Sequence, residues 1–370
     1  IFVRNGVVVQ GVDGDGQPLP GDRRLISEEW EPGESIVVDT FSGQAPQQPE
    51  CLPLFQLELG DVSRHIAMGG EGPHTGLAWS PDGARLAIGT YLGELIIVDG
   101  WSGEVQSRTS LTESLVKKVQ WSPDGSVLYA AEQSPDAYIY ALAADSLETL
   151  WTLRLADRVD TSPAPAGEDI YGVYQLPAAY GLTVLQDGDI LVAATHSWRA
   201  QDEALNLTQL LRVSAQGEVL SAWPDAPTSA TFLHPRVDEA GDRVSVNVNR
   251  SADGDDPLEL PIGGVQVLRL SDLEPLWSHS EPPLQPYYTQ AFIWDAVDIQ
   301  GDRLLMGFGD GRIRLAEPER GVRLALNPGT PVVAATVPIA AAINGVLLRP
   351  NQLIFSTMET LIPYGASAPE

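Results

Sequence analysis

The sequence has a single cysteine, Cys51, among its 370 residues. One cysteine rules out an intrachain disulfide and any metal site built from several thiolates. Lysine is confined to Lys117 and Lys118, so arginine carries nearly all of the positive charge. The sequence lacks an apolar run of about 18 residues, the length that would span a membrane. It also lacks a sustained helical period in its apolar residues, which favours an all-β protein.

The charge balance is strongly acidic. Fifty acidic residues against 22 basic ones give a net charge of −28. This charge opposes binding to nucleic acid, because phosphate recognition needs clustered lysine and arginine. It is compatible with divalent cations or a basic protein partner. Acidity with little cysteine or lysine favours an exported bacterial protein, periplasmic or extracellular; a cytoplasmic protein from a high-GC organism is the alternative.

Recognisable catalytic motifs are missing. The sequence contains no Gly-x-Ser-x-Gly nucleophile motif, no His-Glu-x-x-His pair and no glycine-rich phosphate loop. The five histidines are scattered along the chain. We therefore predict no catalytic residues and no organic cofactor.

Short internal repeats organise the chain. Trp-Ser-Pro-Asp-Gly occurs at 79–83 and again at 121–125, a spacing of 42 residues. Pro-Asp-Gly is typical of a tight turn, and the apolar runs on either side predict a hairpin. Weaker echoes link Val-Asp-x-x-Ser-Gly at 38–43 and 98–103, and Leu-Glu-x-Leu-Trp at 147–151 and 273–277. The same supersecondary unit is therefore reused along the chain.

These repeats predict an all-β fold consisting of a single β-propeller domain over residues 1–370, with about seven four-stranded blades. Six or eight blades are alternatives. We expect one of two N-terminal segments, Ile1–Arg4 or Val7–Val9, to pair with the last unit and close the ring, because closure removes exposed sheet edges. The approximate units are 1–70, 71–112, 113–160, 170–223, 229–280, 288–327 and 331–364.

Two kinds of propeller are similar to parts of the sequence. The second unit resembles a degenerate WD repeat, with His74 in the incoming loop and Val98-Asp99 ending the third strand. The Leu-Glu-x-Leu-Trp segments resemble quinoprotein-type propellers, in which tryptophan closes the outer strand. The resemblance implies a non-catalytic protein-binding scaffold within a larger assembly. The alternative is a propeller enzyme, either a quinone-dependent dehydrogenase or a calcium-assisted hydrolase or lactonase.

One segment has some features of a calcium loop. Asp13, Asp15 and Asp22 surround a turn glycine, but position five is Gln17 and no glutamate follows at position twelve. A polar hairpin turn is the competing interpretation. We expect no cofactor other than Ca²⁺ at these three residues.

Several aromatic residues fall outside the repeated strand positions. Trp101, Trp198, Tyr287 and Tyr288 lie in predicted turns or insertions. Aromatic side chains anchor protein interfaces, so these four are the candidate contact residues.

Overall fold

The fold is seen in a computed structural model. It describes residues 6–8, 76–159, 176–200, 203–249, 258, 260, 264–280, 292–308, 313–318, 321–326, 332–334, 337–339, 342–349 and 352–358. Within these ranges the chain forms β-strands and one three-residue 3-10 helix, Leu155–Asp157. No helix in the described ranges is long and apolar enough to cross a membrane. The predicted all-β fold is confirmed.

Most strands form four-stranded antiparallel sheets, which we call sheets I to V. After β1 (Gly6–Val8), sheet I contains β2 (Leu77–Trp79), β3 (Arg85–Gly89), β4 (Glu94–Asp99) and β5 (Val105–Ser110). Sheet II contains β6 (Leu115–Trp121), β7 (Val127–Gln133), β8 (Tyr138–Ala143) and β9 (Thr149–Arg154). Sheet III contains β10 (Ala178–Val184), β11 (Ile190–Ala200), β12 (Glu203–Val213) and β13 (Val219–Thr228). Sheets II and III are joined by one bridge, between Gln133 and Ala178.

The remaining strands continue the same order. Sheet IV contains β14 (Thr231–Asp238), β15 (Arg243–Asn249), β16 (Gly264–Arg269) and β17 (Pro275–Ser280). Sheet V contains β18 (Phe292–Gln300), β19 (Arg303–Phe308), β20 (Ile313–Glu317) and β21 (Gly321–Leu326). They are followed by β22 (Val332–Ala334), β23 (Val337–Ile339), β24 (Ala342–Arg349) and β25 (Gln352–Met358). Successive four-stranded antiparallel sheets are the blades of a β-propeller. The blade count and the single-domain organisation stay predictions.

The chain divides into two compact units. One unit is Pro49–Leu276 and holds sheets I to III with most of sheet IV. The other combines Ile1–Gln48 with Trp277–Glu370 and contains sheet V and the strands of both termini. In this second unit β1 pairs antiparallel with β25, with Val7 opposite Phe355, and β25 also pairs with β24. The expected pairing between N-terminal and C-terminal strands is therefore present.

Sheets in the unit Pro49–Leu276 are buried on both faces. In β7 of sheet II, Leu128 and Ala130 belong to the apolar core shared with sheet I. The alternate residues Tyr129 and Ala131 belong to the core shared with sheet III. Successive side chains of a strand point to opposite faces, so one strand serves two cores. This double burial explains why the middle strands are almost continuously apolar, whereas the outer strands are largely polar and exposed.

The Ser-Pro-Asp-Gly segments form the turn between the first and second strands. The Ser80 hydroxyl donates to Asp82 Oδ1 at 2.6 Å and accepts from the Arg85 amide at 2.9 Å. Gly83 closes the turn with φ +69°. A left-handed residue recurs in the corresponding turns of sheets II, III and IV, at Gly125, Gly188 and Asp242.

A second repeated turn joins the third and fourth strands. One residue of this turn has positive φ, and a glutamate follows it. The carbonyl of the glutamate accepts a hydrogen bond from a backbone amide at the end of the third strand. The four left-handed residues in sheets I to IV are Gly103, Leu147, Gly217 and Leu273, and the glutamates are Glu104, Glu148, Glu218 and Glu274. The sequence echoes at 98–103, 147–151 and 273–277 are therefore versions of one turn.

Packing against the backbone of Thr112 constrains Gly93 closely. It has φ +77°, and a Cβ at this position would lie 1.9 Å from the carbonyl oxygen of Thr112. We expect Gly93→Ala to lower the free energy of unfolding by about 3 kcal/mol or more, because backbone must shift in addition to the unfavourable φ. Urea denaturation measures this change.

Gly83 provides the matched control. It also has positive φ, +69°, but a Cβ there would meet no atom within 4 Å. Gly83→Ala should therefore lower the free energy of unfolding by only about 1 kcal/mol, the cost of placing an alanine at positive φ. Equal losses for the two variants would contradict the packing constraint on Gly93.

Candidate functional site

The structure describes two of the four predicted contact residues, and only one of them with its side chain. Trp101 lies in the turn between β4 and β5. Trp198 was expected in an insertion, and this expectation is wrong: it lies within β11, opposite Leu205 of β12. The presumed insertion is an extension of the β11–β12 hairpin, whose two strands each have 11 residues. Tyr287 and Tyr288 fall outside the described residues.

The predicted calcium residues Asp13, Asp15 and Asp22 also lie outside the described residues. Within the described ranges, no group of three or more histidine, cysteine, aspartate or glutamate side chains is arranged to hold a metal ion. The calcium loop stays a prediction of the sequence.

Trp101 is an exposed aromatic side chain on a tightly hydrogen-bonded turn. Its exposed fraction is 72 %, the largest among the exposed apolar side chains of the described residues. Asp99 Oδ1 accepts hydrogen bonds from the amides of Trp101 at 3.0 Å and Ser102 at 2.8 Å. The Gly103 amide donates to the Asp99 carbonyl at 2.9 Å. Hydrogen bonds therefore fix the backbone of the turn that carries Trp101.

Four turns at the same end of sheets I and II form a continuous surface, which we call the turn surface. It comprises residues 80–85, 99–104, 122–126 and 143–148. The amide of Gly100 donates to the Ala84 carbonyl at 2.8 Å, and the amide of Ala144 donates to the Ser126 carbonyl at 2.9 Å. Arg85 connects the two sheets.

The guanidinium of Arg85 makes four contacts across the sheet boundary, one of them from Nη1 to the Ala144 carbonyl at 3.5 Å. Nη2 donates to the Gly125 carbonyl at 3.2 Å, and Nη1 donates to Asp145 Oδ1 at 3.1 Å. The guanidinium also lies 4.6 Å from the ring centroid of Trp121. These contacts hold the turns of sheet I against those of sheet II.

The turn surface is acidic. Its charged groups are Arg85 and the six carboxylates of Asp82, Asp99, Glu104, Asp124, Asp145 and Glu148. The hydroxyl of Ser122 and the amide of Ser126 donate to Asp124 and lower its pKa to about 2. The amides of Ser102 and Trp101 lower the pKa of Asp99. Hydrogen bonds within the turns therefore favour the ionised form of both carboxylates.

Lys117 is a buried residue that no sequence motif singled out. It lies at a β-bulge in β6, where Val116 pairs with Glu132 and Lys118 pairs with Ala131. A bulge redirects the side chain of the extra residue. Lys117 Nζ lies 3.3 Å from Gln133 Oε1 and 4.0 Å from the ring centroid of Tyr180.

Tyr180 occupies an equivalent bulge in the first strand of sheet III, where Ala179 pairs with Ala194 and Gly181 pairs with Ala193. Two bulged strands thus bring a lysine and a tyrosine together. In the described part of the chain, no carboxylate lies within ion-pair distance of Lys117. Burial therefore lowers the pKa of Lys117 to about 7, from its ordinary 10.5.

This pKa shift predicts how stability depends on pH. Between pH 7 and 10.5 the unfolded chain binds a proton at Lys117 that the folded chain releases. Stability should rise with pH across this window, by up to about 1.4 kcal/mol per pH unit. In Lys117→Met this contribution is absent, so the unfolding free energy of the wild type minus that of the variant should increase from pH 7 to pH 10. Urea denaturation at a series of pH values measures it, and a difference independent of pH would contradict the shifted pKa.

Sequence comparisons identify related proteins over part of the chain. The family model of the anaphase-promoting complex subunit 4 WD40 domain matches residues 66–124. Tricorn protease homolog 1 of Streptomyces coelicolor is 29 % identical over 148 residues, which are 40 % of this chain and 12 % of that protein. The chain thus spans only a small part of that curated relative.

Solved structures are similar to the chain at low sequence identity and with low TM-scores. BamB from Moraxella catarrhalis is 15 % identical with a TM-score of 0.40, over 81 % of this chain and 86 % of that one. Sqt1 from Saccharomyces cerevisiae is 13 % identical with a TM-score of 0.49, over 76 % of this chain and 67 % of that one. The four-stranded antiparallel sheets make the chain a β-propeller, and its residues 66–124 are similar to a WD40 domain.

Proposed function

We propose that the protein is a non-catalytic binding propeller and that the turn surface around Trp101 binds a basic protein partner. The observation that carries this proposal is the 72 % exposure of Trp101 on a turn fixed by Asp99. Burial of a tryptophan contributes more to protein binding than burial of most side chains. Because the turn is already ordered, little conformational entropy is lost when a partner covers it.

The charge of the turn surface supports a basic partner. Six carboxylates accompany one arginine there, in a chain whose net charge is −28. The negative electrostatic potential of such a surface accelerates association with a positively charged partner and disfavours acidic partners. Trp101 would supply affinity in this arrangement, and the carboxylates would supply selectivity and rate.

The position of the family match also supports the proposal. Residues 66–124 include Trp101, the whole Ser-Pro-Asp-Gly segment at 80–83 and the first three residues of the one at 122–125. The matching model describes a WD40 domain in a subunit of a multiprotein complex. We infer a comparable role here, as one component of a larger assembly.

We further propose that this assembly is exported or surface-associated in a bacterium. The acidic composition with one cysteine and two lysines supports this location. Fractionation of the producing cells tests it: the protein should be found in the periplasmic or surface fraction, and recovery in the cytoplasmic fraction alone would overturn it.

Substitution of Trp101 tests the proposed surface directly. We expect Trp101→Ala to weaken binding of the partner about 30-fold, as loss of a central aromatic contact typically costs about 2 kcal/mol. The immobilised chain captures proteins from a lysate of the producing organism, mass spectrometry identifies them, and Kd is measured with the purified partner. Raised salt should slow association, since the partner is basic.

Leu92→Ala is the matched control. Leu92 is 45 % exposed in the β3–β4 turn, at the opposite end of the same sheet. This variant should bind like the wild type. Equal weakening by both variants, or none by Trp101→Ala, would show that the partner does not bind at the turn surface.

A further inference from the structure

The fourth strand carries a β-bulge near its start in three successive sheets. In sheets I, II and III the register between the third and fourth strands shifts there by one residue. The extra residue is Gln106 in β5, Leu150 in β9 and Leu220 in β13. Each is the third residue after the left-handed residue of the preceding turn, and Leu276 holds that position in sheet IV. A bulge redirects the side chain of its extra residue.

The three leucines at this position are exposed, and we call them the outer leucines. The exposed fraction is 56 % for Leu150, 53 % for Leu220 and 36 % for Leu276. The bulge does not require leucine, because the equivalent Gln106 of sheet I is polar and exposed. A single exposed leucine is ordinary, but the fold does not explain an exposed leucine at one position of three successive sheets. Contact with a partner explains it.

A glutamate accompanies each outer leucine. Glu148, Glu218 and Glu274 lie two residues before the leucines, and all three are exposed. None of them forms an ion pair with another described residue. The arginines near these turns are already paired with aspartates. An exposed leucine with an unpaired carboxylate nearby complements a partner in which apolar and basic side chains alternate, and the negative charge opposes an acidic partner.

We propose that the outer leucines form a second contact surface, which binds a basic protein segment whose apolar side chains alternate with lysine or arginine. The apolar side chains of the partner cover the leucines, and its cations pair with the three glutamates. In sheet II this surface continues the turn surface, since Glu148 ends the one and Leu150 begins the other. The proposal rests on the proposed binding function and adds contacts in sheets II to IV to it.

Two peptides that differ only in their apolar side chains test the class of partner. Acetyl-Lys-Leu-Lys-Leu-Lys-Leu-amide carrying a fluorophore is titrated with the full chain, beside the same peptide with serine in place of leucine. We expect the leucine peptide to bind about tenfold more tightly than the serine peptide, because only its side chains cover the outer leucines. Equal affinities would overturn the proposal, since charge alone would then account for binding.

Sheet I shows which substitution the bulge accommodates. Leu150→Gln and Leu220→Gln give these bulges the side chain that Gln106 has in β5, so both variants should unfold at the urea concentration of the wild type. Each variant should weaken binding of the leucine peptide about threefold, and the double variant about tenfold. Wild-type affinity in the double variant would contradict the proposal.

Gln106→Leu is the reverse test. It adds an exposed leucine to sheet I and should strengthen binding of the leucine peptide about threefold. The strengthening should be the same in a Trp101→Ala background, which distinguishes failure of the outer leucines from failure of the turn surface. Unchanged affinity in Gln106→Leu would overturn the proposal. A dimer in sedimentation equilibrium that the Leu150→Gln, Leu220→Gln double variant loses would assign the leucines to a second copy of the chain and would also overturn it.

Discussion

The burial of both faces of each sheet is the constraint on which the rest of the unit Pro49–Leu276 depends. In β7, Leu128 packs toward sheet I while Tyr129 packs toward sheet III. Such strands cannot carry exposed functional groups without losing a core on one side. Exposed side chains are therefore left to the turns and the outer strands, and the turn surface is built from these parts.

Much of the fold was predictable because short sequence motifs specify its turns. Pro-Asp-Gly specifies a turn through proline's fixed φ and glycine's tolerance of positive φ. The turn between the third and fourth strands could be predicted only in part, because its left-handed residue is Gly103 in one sheet and Leu147 in another. A leucine with positive φ has no sequence signature; tertiary packing must impose it. The bulge that redirects Lys117 also depends on strand register, which a single strand's sequence does not reveal.

The candidate sites differ in how far sequence could identify them. Trp101 was recognisable because it interrupts a turn motif that otherwise contains small and polar residues. Trp198 was misassigned because the polar residues of a long hairpin resemble an insertion, although pairing between β11 and β12 continues through them.

We propose that the partner binds at the turn surface and not at the opposite end of the sheets. Hydrogen exchange of the full chain, alone and saturated with its captured partner, tests this most directly. We expect the backbone amides of residues 80–85 and 99–104 to exchange more slowly when the partner is bound. The amides of 90–93 and 111–114, at the opposite end of the sheets, should exchange at unchanged rates. Protection of 90–93 and 111–114, with none at 99–104, would contradict it.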